Sequence, residues 1–233
     1  MKAMIFAAGL GTRLKHLTEH TPKALVKVGK ITLLEHVIMK LKQSGVEEII
    51  INVHHFPLQI INFIMENDFF GIEISFSIEN DKLLDTGGGL KKASWFFNDN
   101  KPFFIHNVDV ISDINLQEMY DFHCQENAIA TLAVRNRITQ RYFLFDEKNY
   151  LCGRENLKTN ERIIIPNSSS KSELHRLAFS GIHVVSPQIF EFMPQKDVFP
   201  ITDLYLNIPN KILAYQHDYS KWADMGKIED IVT

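Results

Sequence analysis

Two glycines and two cations near the start of this 233-residue chain are spaced to hold an anion. An apolar run from Met4 to Ala8 ends at Gly9, with Gly11 close behind. Arg13 lies just beyond the glycines, and Lys23 follows Pro22 in the next turn-rich segment. A buried strand opening into a glycine loop brings backbone N–H groups to a negative ligand, which nearby cations then neutralise. The chemistry this suggests is the binding of a phosphate chain, with Ala8, Gly9, Gly11 and Thr12 lining it. Arg13 offers a planar fork for the outer phosphates, and Lys23 a point charge for the inner one. Pro22 fixes the backbone just ahead of Lys23. The loop is not a dinucleotide fingerprint, because Leu14 stands where the third glycine is needed. Nor is it a Walker A loop, because no Gly-Lys-Ser/Thr closes it.

The surrounding pattern supplies elements to position that loop. Lys2 to Ala8 reads as a first buried strand. Thr32 to Lys42 carries Leu33, Leu34, Val37, Ile38 and Leu41 at helical spacing, and Thr32 with Glu35 forms a capping box. Glu48 to Val53 is a second buried strand, and Pro57 opens a helix to about Asn67. Ile72, Ile74 and Phe76 alternate with polar residues as a third strand. Strand, helix, strand, helix, strand predicts an α/β fold: a Rossmann-like α/β/α sandwich on a mixed, mostly parallel central sheet. Ligands of such sheets bind at the carboxyl ends of the strands, where the Gly9 loop falls.

Further along, Asp85-Thr86-Gly87-Gly88-Gly89 feeds a helix expected over Leu90 to Phe97. Glycines there let a flat ligand approach the backbone. Pro102 to Val108 is another buried strand, delivering Asn107 and Asp109 to the binding edge. The residues from Lys158 to Glu173 turn polar and read as a mobile excursion. The remaining strands are expected over Ile129 to Arg135, Tyr142 to Phe145, Tyr150 to Cys152, Leu177 to Val185, Ile212 to Gln216 and Trp222 to Asp224. Short helices are expected after Ser186 and from Ile201 to Asn207.

Gly9-Leu10-Gly11-Thr12-Arg13-Leu14 together with Pro22-Lys23 resembles the signature of the sugar-1-phosphate nucleotidyltransferases. Within that family the resemblance is to short members such as N-acetylmuramate-1-phosphate uridylyltransferase and mannose-1-phosphate guanylyltransferase. It runs from Lys2 to about Gly226 and implies a single nucleotidyltransferase domain over 1–233. The implied reaction joins an NTP (GTP, UTP or CTP) to a mannose, heptose or N-acetylmuramic acid 1-phosphate, with release of pyrophosphate. The protein must align two anions and stabilise charge on the leaving group. That calls for a carboxylate-held divalent ion, and Mg²⁺ suits it because it keeps water and phosphate in its shell.

The metal ligands implied are Asp109 and Asp224, the latter in a Trp-x-Asp-x-Gly motif at Trp222 to Gly226. Arg13, Lys23 and Asp109 become the catalytic set. The Thr86-Gly87-Gly88 stretch is expected against the nucleobase, with Asn52 as a further nucleotide contact. Phe179-Ser180-Gly181 resembles the segment lining the acceptor pocket, so Ser180 and Gly181, with Asn107 and Asp203, are the sugar-side candidates. The chain departs from the family pattern at Val108, where glycine is common, and at His16, where proline is usual. It also lacks a Glu-Lys-Pro segment that grips the sugar phosphate in longer members. Two rival readings are a CTP:phosphocholine cytidylyltransferase and a non-catalytic nucleotide-binding regulator. The first needs an aromatic or acidic cage for a quaternary ammonium.

Composition narrows the setting. Hydrophobic residues make up 45% of the chain, enough for a sizeable core, and the net charge of −3 offers no footprint for nucleic acid or an anionic membrane. Cys124 and Cys152 match no metal or redox spacing and read as reduced thiols. Gly9, Gly11, Arg13 and Lys15 interrupt what might resemble a signal peptide. A cytoplasmic monomer or small homo-oligomer is expected.

Overall fold

The computed structural model describes residues 1–166 and 173–226. In chain order the strands are β1 (Lys2–Phe6), β2 (Lys27–Val28), β3 (Ile31–Thr32), β4 (Glu48–Val53), β5 (Glu73–Ile78), β6 (Phe103–Asn107) and β7 (Val110–Ser112). They continue with β8 (Ala130–Arg135), β9 (Arg141–Phe145), β10 (Leu151–Asn156), β11 (Glu161–Ile164), β12 (His175–Val185), β13 (Ile212–Gln216) and β14 (Trp222–Asp224). The α-helices are α1 (Leu33–Gln43), α2 (Pro57–Glu66), α3 (Asp85–Lys92), α4 (Leu116–Glu126) and α5 (Ile201–Tyr205).

The sheet centres on β1, which pairs in parallel with β4 on one side and β6 on the other. β5 extends the parallel run beyond β4. On the far side β12 runs antiparallel to β6 and to β8, and β13 adds to β8 in parallel. β12 is long enough to serve a second set of partners. Its first residues pair with β9, which leads to β10 and β11.

All five residues of β1 are buried, as a strand covered on both faces requires. Its side chains alternate between two cores. Ala3 and Ile5 join one with α1, α2 and α4, whereas Met4 and Phe6 join the other with α3 and α5. This is the expected α/β/α sandwich. The α1 stripe from Leu33 to Leu41 is buried, and the Thr32 hydroxyl accepts from the Glu35 N–H at 3.1 Å, so the capping box begins as read. No described helix is long and apolar enough to cross a membrane.

Three elements differ from expectation. α3 starts at Asp85 and carries the glycines within it, ending at Lys92 rather than Phe97. The polar segment contains strand β11, which pairs with β10; residues 167–172 lie outside the described residues. Finally, β7, which no local pattern announced, pairs with the expected strand β14 in a separate two-stranded ladder.

Candidate active site

The site forms where β1 and β6 end. Register sets Phe6 opposite Asn52 of β4 and Asn107 of β6, so three strands deliver their last residues in one row. Beyond Phe6, Ala7 and Ala8 are buried, while Gly9 and Leu10 are exposed. Gly11 adopts φ +67°, and a Cβ there would sit 2.8 Å from the Thr18 methyl, so both conformation and space demand glycine. The Thr18 hydroxyl and the Leu14 N–H both donate to the Gly11 carbonyl, closing the loop into a short 3₁₀ turn that begins at Thr12. That turn presents Arg13, whose side chain is 57% exposed and free to meet a ligand.

Lys23 is held differently. It opens a second 3₁₀ turn behind Pro22 and is buried, and its ammonium pairs directly with the Asp109 carboxylate. Arg13 approaches the same carboxylate at 3.9 Å. The two cations singled out by spacing therefore converge on the first aspartate.

The β7–β14 ladder brings the second aspartate alongside. Asp224 pairs with Val110, the residue after Asp109. The Met225 N–H donates to the Asp109 carbonyl at 2.8 Å, and the Gly226 N–H donates to the Asp224 carboxylate at 2.8 Å. A Cβ on Gly226 would fall 2.6 Å from both Arg13 Nη2 and Asp224 Oδ1, so this glycine keeps open the space between them. No described group of three or more His, Cys, Asp or Glu residues is arranged to enclose a metal. Two carboxylates beside an open cradle instead suit an ion that completes its shell with water and phosphate.

Other expected contacts are placed elsewhere. Asn52 is 3% exposed and saturated: its Oδ1 accepts from the Ala7 N–H at 2.9 Å and its Nδ2 donates to Glu79 at 2.8 Å. Glu79 in turn accepts from the Leu84 N–H at 2.8 Å. Asn52 thus ties the loop's root, through Glu79, to the start of α3. Gly87 and Gly88 do admit a close approach, but the visitor is the chain itself. Their N–H groups donate to the Phe199 carbonyl at 2.9 and 3.2 Å, and side chains there would collide with Phe199 and with the Asp197 carbonyl.

Ser180 is 1% exposed, its hydroxyl bound to His217 at 2.7 Å and its carbonyl to the Trp222 indole N–H at 2.8 Å. Both of these polar groups are thus engaged within the protein. Asp203 pairs with Arg154 of β10. Gly181, at φ +78°, lies in a bulge of β12 against β8, where a Cβ would meet the Asn107 amide at 2.8 Å. Asn107 is half-buried at the strand end and stays within the site row.

Several histidines are buried in structural contacts. His123 bridges Thr131 and Ser186, and His183 meets the Tyr205 hydroxyl at 2.5 Å. Burial pushes both imidazoles down, to about 4 and about 3 respectively. His106, behind Asp109, is lowered to about 4 by burial, against the opposing pull of its hydrogen bond to the Asn107 carbonyl and of the Asp109 charge. The side chain of His16 lies outside the described residues.

Sequence reading missed Arg137. Its guanidinium lies 4.5 Å from the centre of the Trp222 ring, next to Asp224, whose charge partly offsets the lowering of the Arg137 pKa by burial.

A parallel-centred α/β sandwich with a glycine loop, two cations and two carboxylates at its strand ends is the architecture of a nucleotide-handling transferase. The chain belongs to the nucleotidyl transferase family, whose profile matches residues 2–145. It is 27% identical over 252 residues to a UTP–glucose-1-phosphate uridylyltransferase of Synechocystis, covering 99% of this chain and 61% of that protein. It is 29% identical over 249 residues to a mannose-1-phosphate guanyltransferase of Kluyveromyces lactis, covering 100% and 63%. The chain thus spans a little over 60% of the length of these curated relatives. Among solved structures it is similar to a Bacillus anthracis protein assigned as a glucose-1-phosphate thymidylyltransferase and solved with sucrose. The TM-score is 0.82 at 20% identity, covering 100% of this chain and 92% of that one, which supports the shared fold.

Proposed function

We propose that the chain transfers a nucleoside monophosphate from an NTP to a sugar 1-phosphate and releases pyrophosphate. The observation that carries this is the convergence of Lys23 and Arg13 on Asp109, with Asp224 fixed alongside by the β7–β14 ladder. A phosphate oxygen of the acceptor attacks the α-phosphorus in line; the bond from that phosphorus to the bridging oxygen breaks, and pyrophosphate departs. Lys23 lies beside the carboxylate nearest the reacting phosphorus, where it offsets repulsion between the two anions. Arg13, exposed at its tip, takes charge developing on the leaving group. Asp109 and Asp224 would hold Mg²⁺, which supplies further neutralisation and alignment of the phosphates. Lys23 also pairs with the Asp109 carboxylate.

The phosphocholine reading is disfavoured by the aromatic groups themselves. Arg137 already covers the Trp222 face, and Tyr215 packs on Phe122 with ring centres 5.6 Å apart. The test is pyrophosphate release with Mg²⁺, pairing each ribo-NTP with glucose, mannose, heptose and N-acetylmuramic acid 1-phosphates and with phosphocholine. Release with an NTP–sugar pair supports the proposal and names the substrates. Release with CTP and phosphocholine alone, or with no pair, overturns it.

A further inference from the structure

Segment 222–226 runs between two guanidinium groups. Trp222 and Asp224 are alternate residues of β14, so their side chains share a face. Arg137 stacks on Trp222 at one end, and Arg13 meets Gly226 at the other, leaving Asp224 between them. Arg13 sits on the glycine loop, the side that would take the NTP phosphates. Arg137 therefore marks the opposite flank, from which the second substrate must come.

Arg137 is also under-partnered for a half-buried cation. Its Nη2 donates to the Phe179 carbonyl at 3.1 Å, while its Nε is buried with no hydrogen-bond partner. Arg135 lies 5.9 Å from the same indole ring and likewise has a buried, unpaired Nε. Its two bonds, to the Ser220 and Asp218 carbonyls, are long at 3.4 and 3.5 Å. The arginines found in ion pairs among the described residues are Arg13, Arg154, Arg162 and Arg176, so neither Arg135 nor Arg137 has a carboxylate in direct contact. Trp222 is itself pinned by its N–H bond to Ser180, which holds the stacked guanidinium in place. A half-buried guanidinium held rigid with no carboxylate in contact, only the nearby Asp224 charge, has hydrogen-bonding capacity left for an arriving anion. Its planar fork suits a phosphate oxyanion better than a point charge would.

We propose that Arg137, braced by Trp222 and backed by Arg135, binds the phosphate of the acceptor, and that it selects a phosphomonoester dianion on that flank of Asp224. The assignment rests on the reading of the site given above and adds the group that holds the acceptor. It also supplies a cation in a chain that lacks the lysine of the Glu-Lys-Pro segment.

The test is steady-state kinetics of Arg137→Gln and Arg137→Lys with each substrate varied in turn. It is paired with titration of inorganic phosphate into nucleotide-free protein, followed by Trp222 fluorescence in a Trp95→Phe background. The expected result for Arg137→Gln is an acceptor KM raised roughly ten- to a hundredfold, an NTP KM within about twofold, and an unchanged melting temperature. Arg137→Lys recovers part of the loss. Phosphate should shift the fluorescence saturably in the parent and not in Arg137→Gln. The proposal is overturned if the acceptor KM stays put, or if both KM values move together with a lower melting temperature, as a purely structural arginine would give. If the unmutated protein releases no pyrophosphate with any pair, the transferase reading fails. The phosphate titration then still decides Arg137, since equal affinity in the parent and Arg137→Gln overturns it.

Discussion

Acid should unfold this protein through its buried histidines well before its carboxylates titrate. His106, His123, His183 and His217 are each 5% exposed or less. Burial holds their imidazoles neutral, at about 4 for His106, His123 and His217 and about 3 for His183, against an ordinary 6.5. The sign follows from which state takes the protons. Below about pH 6.5 the unfolded chain protonates these groups and the folded one does not, so stability is complete above that pH and falls as pH drops toward 4. At about pH 5 each histidine contributes a loss on the order of 2 kcal/mol, and the four together roughly 8 kcal/mol. That is comparable with the whole stability of a domain, about 5–15 kcal/mol.

Urea denaturation at pH 7.5, 6.5, 6.0 and 5.5 measures this directly. The stability should begin to fall between about pH 7.5 and 6.5, where the unfolded chain starts to take up protons, and then steepen with a slope approaching uptake of four protons by about pH 5.5. His123→Asn, which removes one titrating ring from between Thr131 and Ser186, should lower that slope by about one proton. A slope below one proton between pH 6.5 and 5.5 would refute the reasoning.

Two further outcomes separate chemistry from scaffolding. Gly226→Ala puts a methyl 2.6 Å from both Arg13 Nη2 and Asp224 Oδ1. It should cut kcat by at least about tenfold with little change in melting temperature, because the displaced groups are at the site's open rim. Asn52→Ala strips partners from the Ala7 N–H and from Glu79. It should cost on the order of 2–4 kcal/mol in urea denaturation while leaving the NTP KM of the surviving folded enzyme nearly unchanged.

The parts legible in the sequence were those whose signals are local. The strand into Gly9, the capping box at Thr32 and the proline before Lys23 each act within a few residues, and each appears where it was expected. Asp109 and Asp224 were recognisable from their neighbours, but what joins them was not. β7 is three residues long and exists because β14, more than a hundred positions later, supplies its ladder partner. The glycines at 87 and 88 illustrate a different limit. Glycine reports that something comes close, not what, and here the Phe199 and Asp197 backbone fills the space. The partner of Ser180 was equally out of reach: His217 arrives from a distant turn to bind its hydroxyl. Arg137 lay in a polar loop with no motif around it. Its significance comes only from the indole that the β7–β14 ladder sets beneath it.

The most direct measurement is Mg²⁺-dependent pyrophosphate release by the unmutated chain beside Asp109→Ala and Asp224→Ala, at equal concentrations of folded protein. The account predicts release with an NTP and a sugar 1-phosphate that each substitution reduces by at least about a thousandfold, with circular dichroism unchanged. Near-normal release from either variant would contradict the claim that these two carboxylates form the catalytic centre.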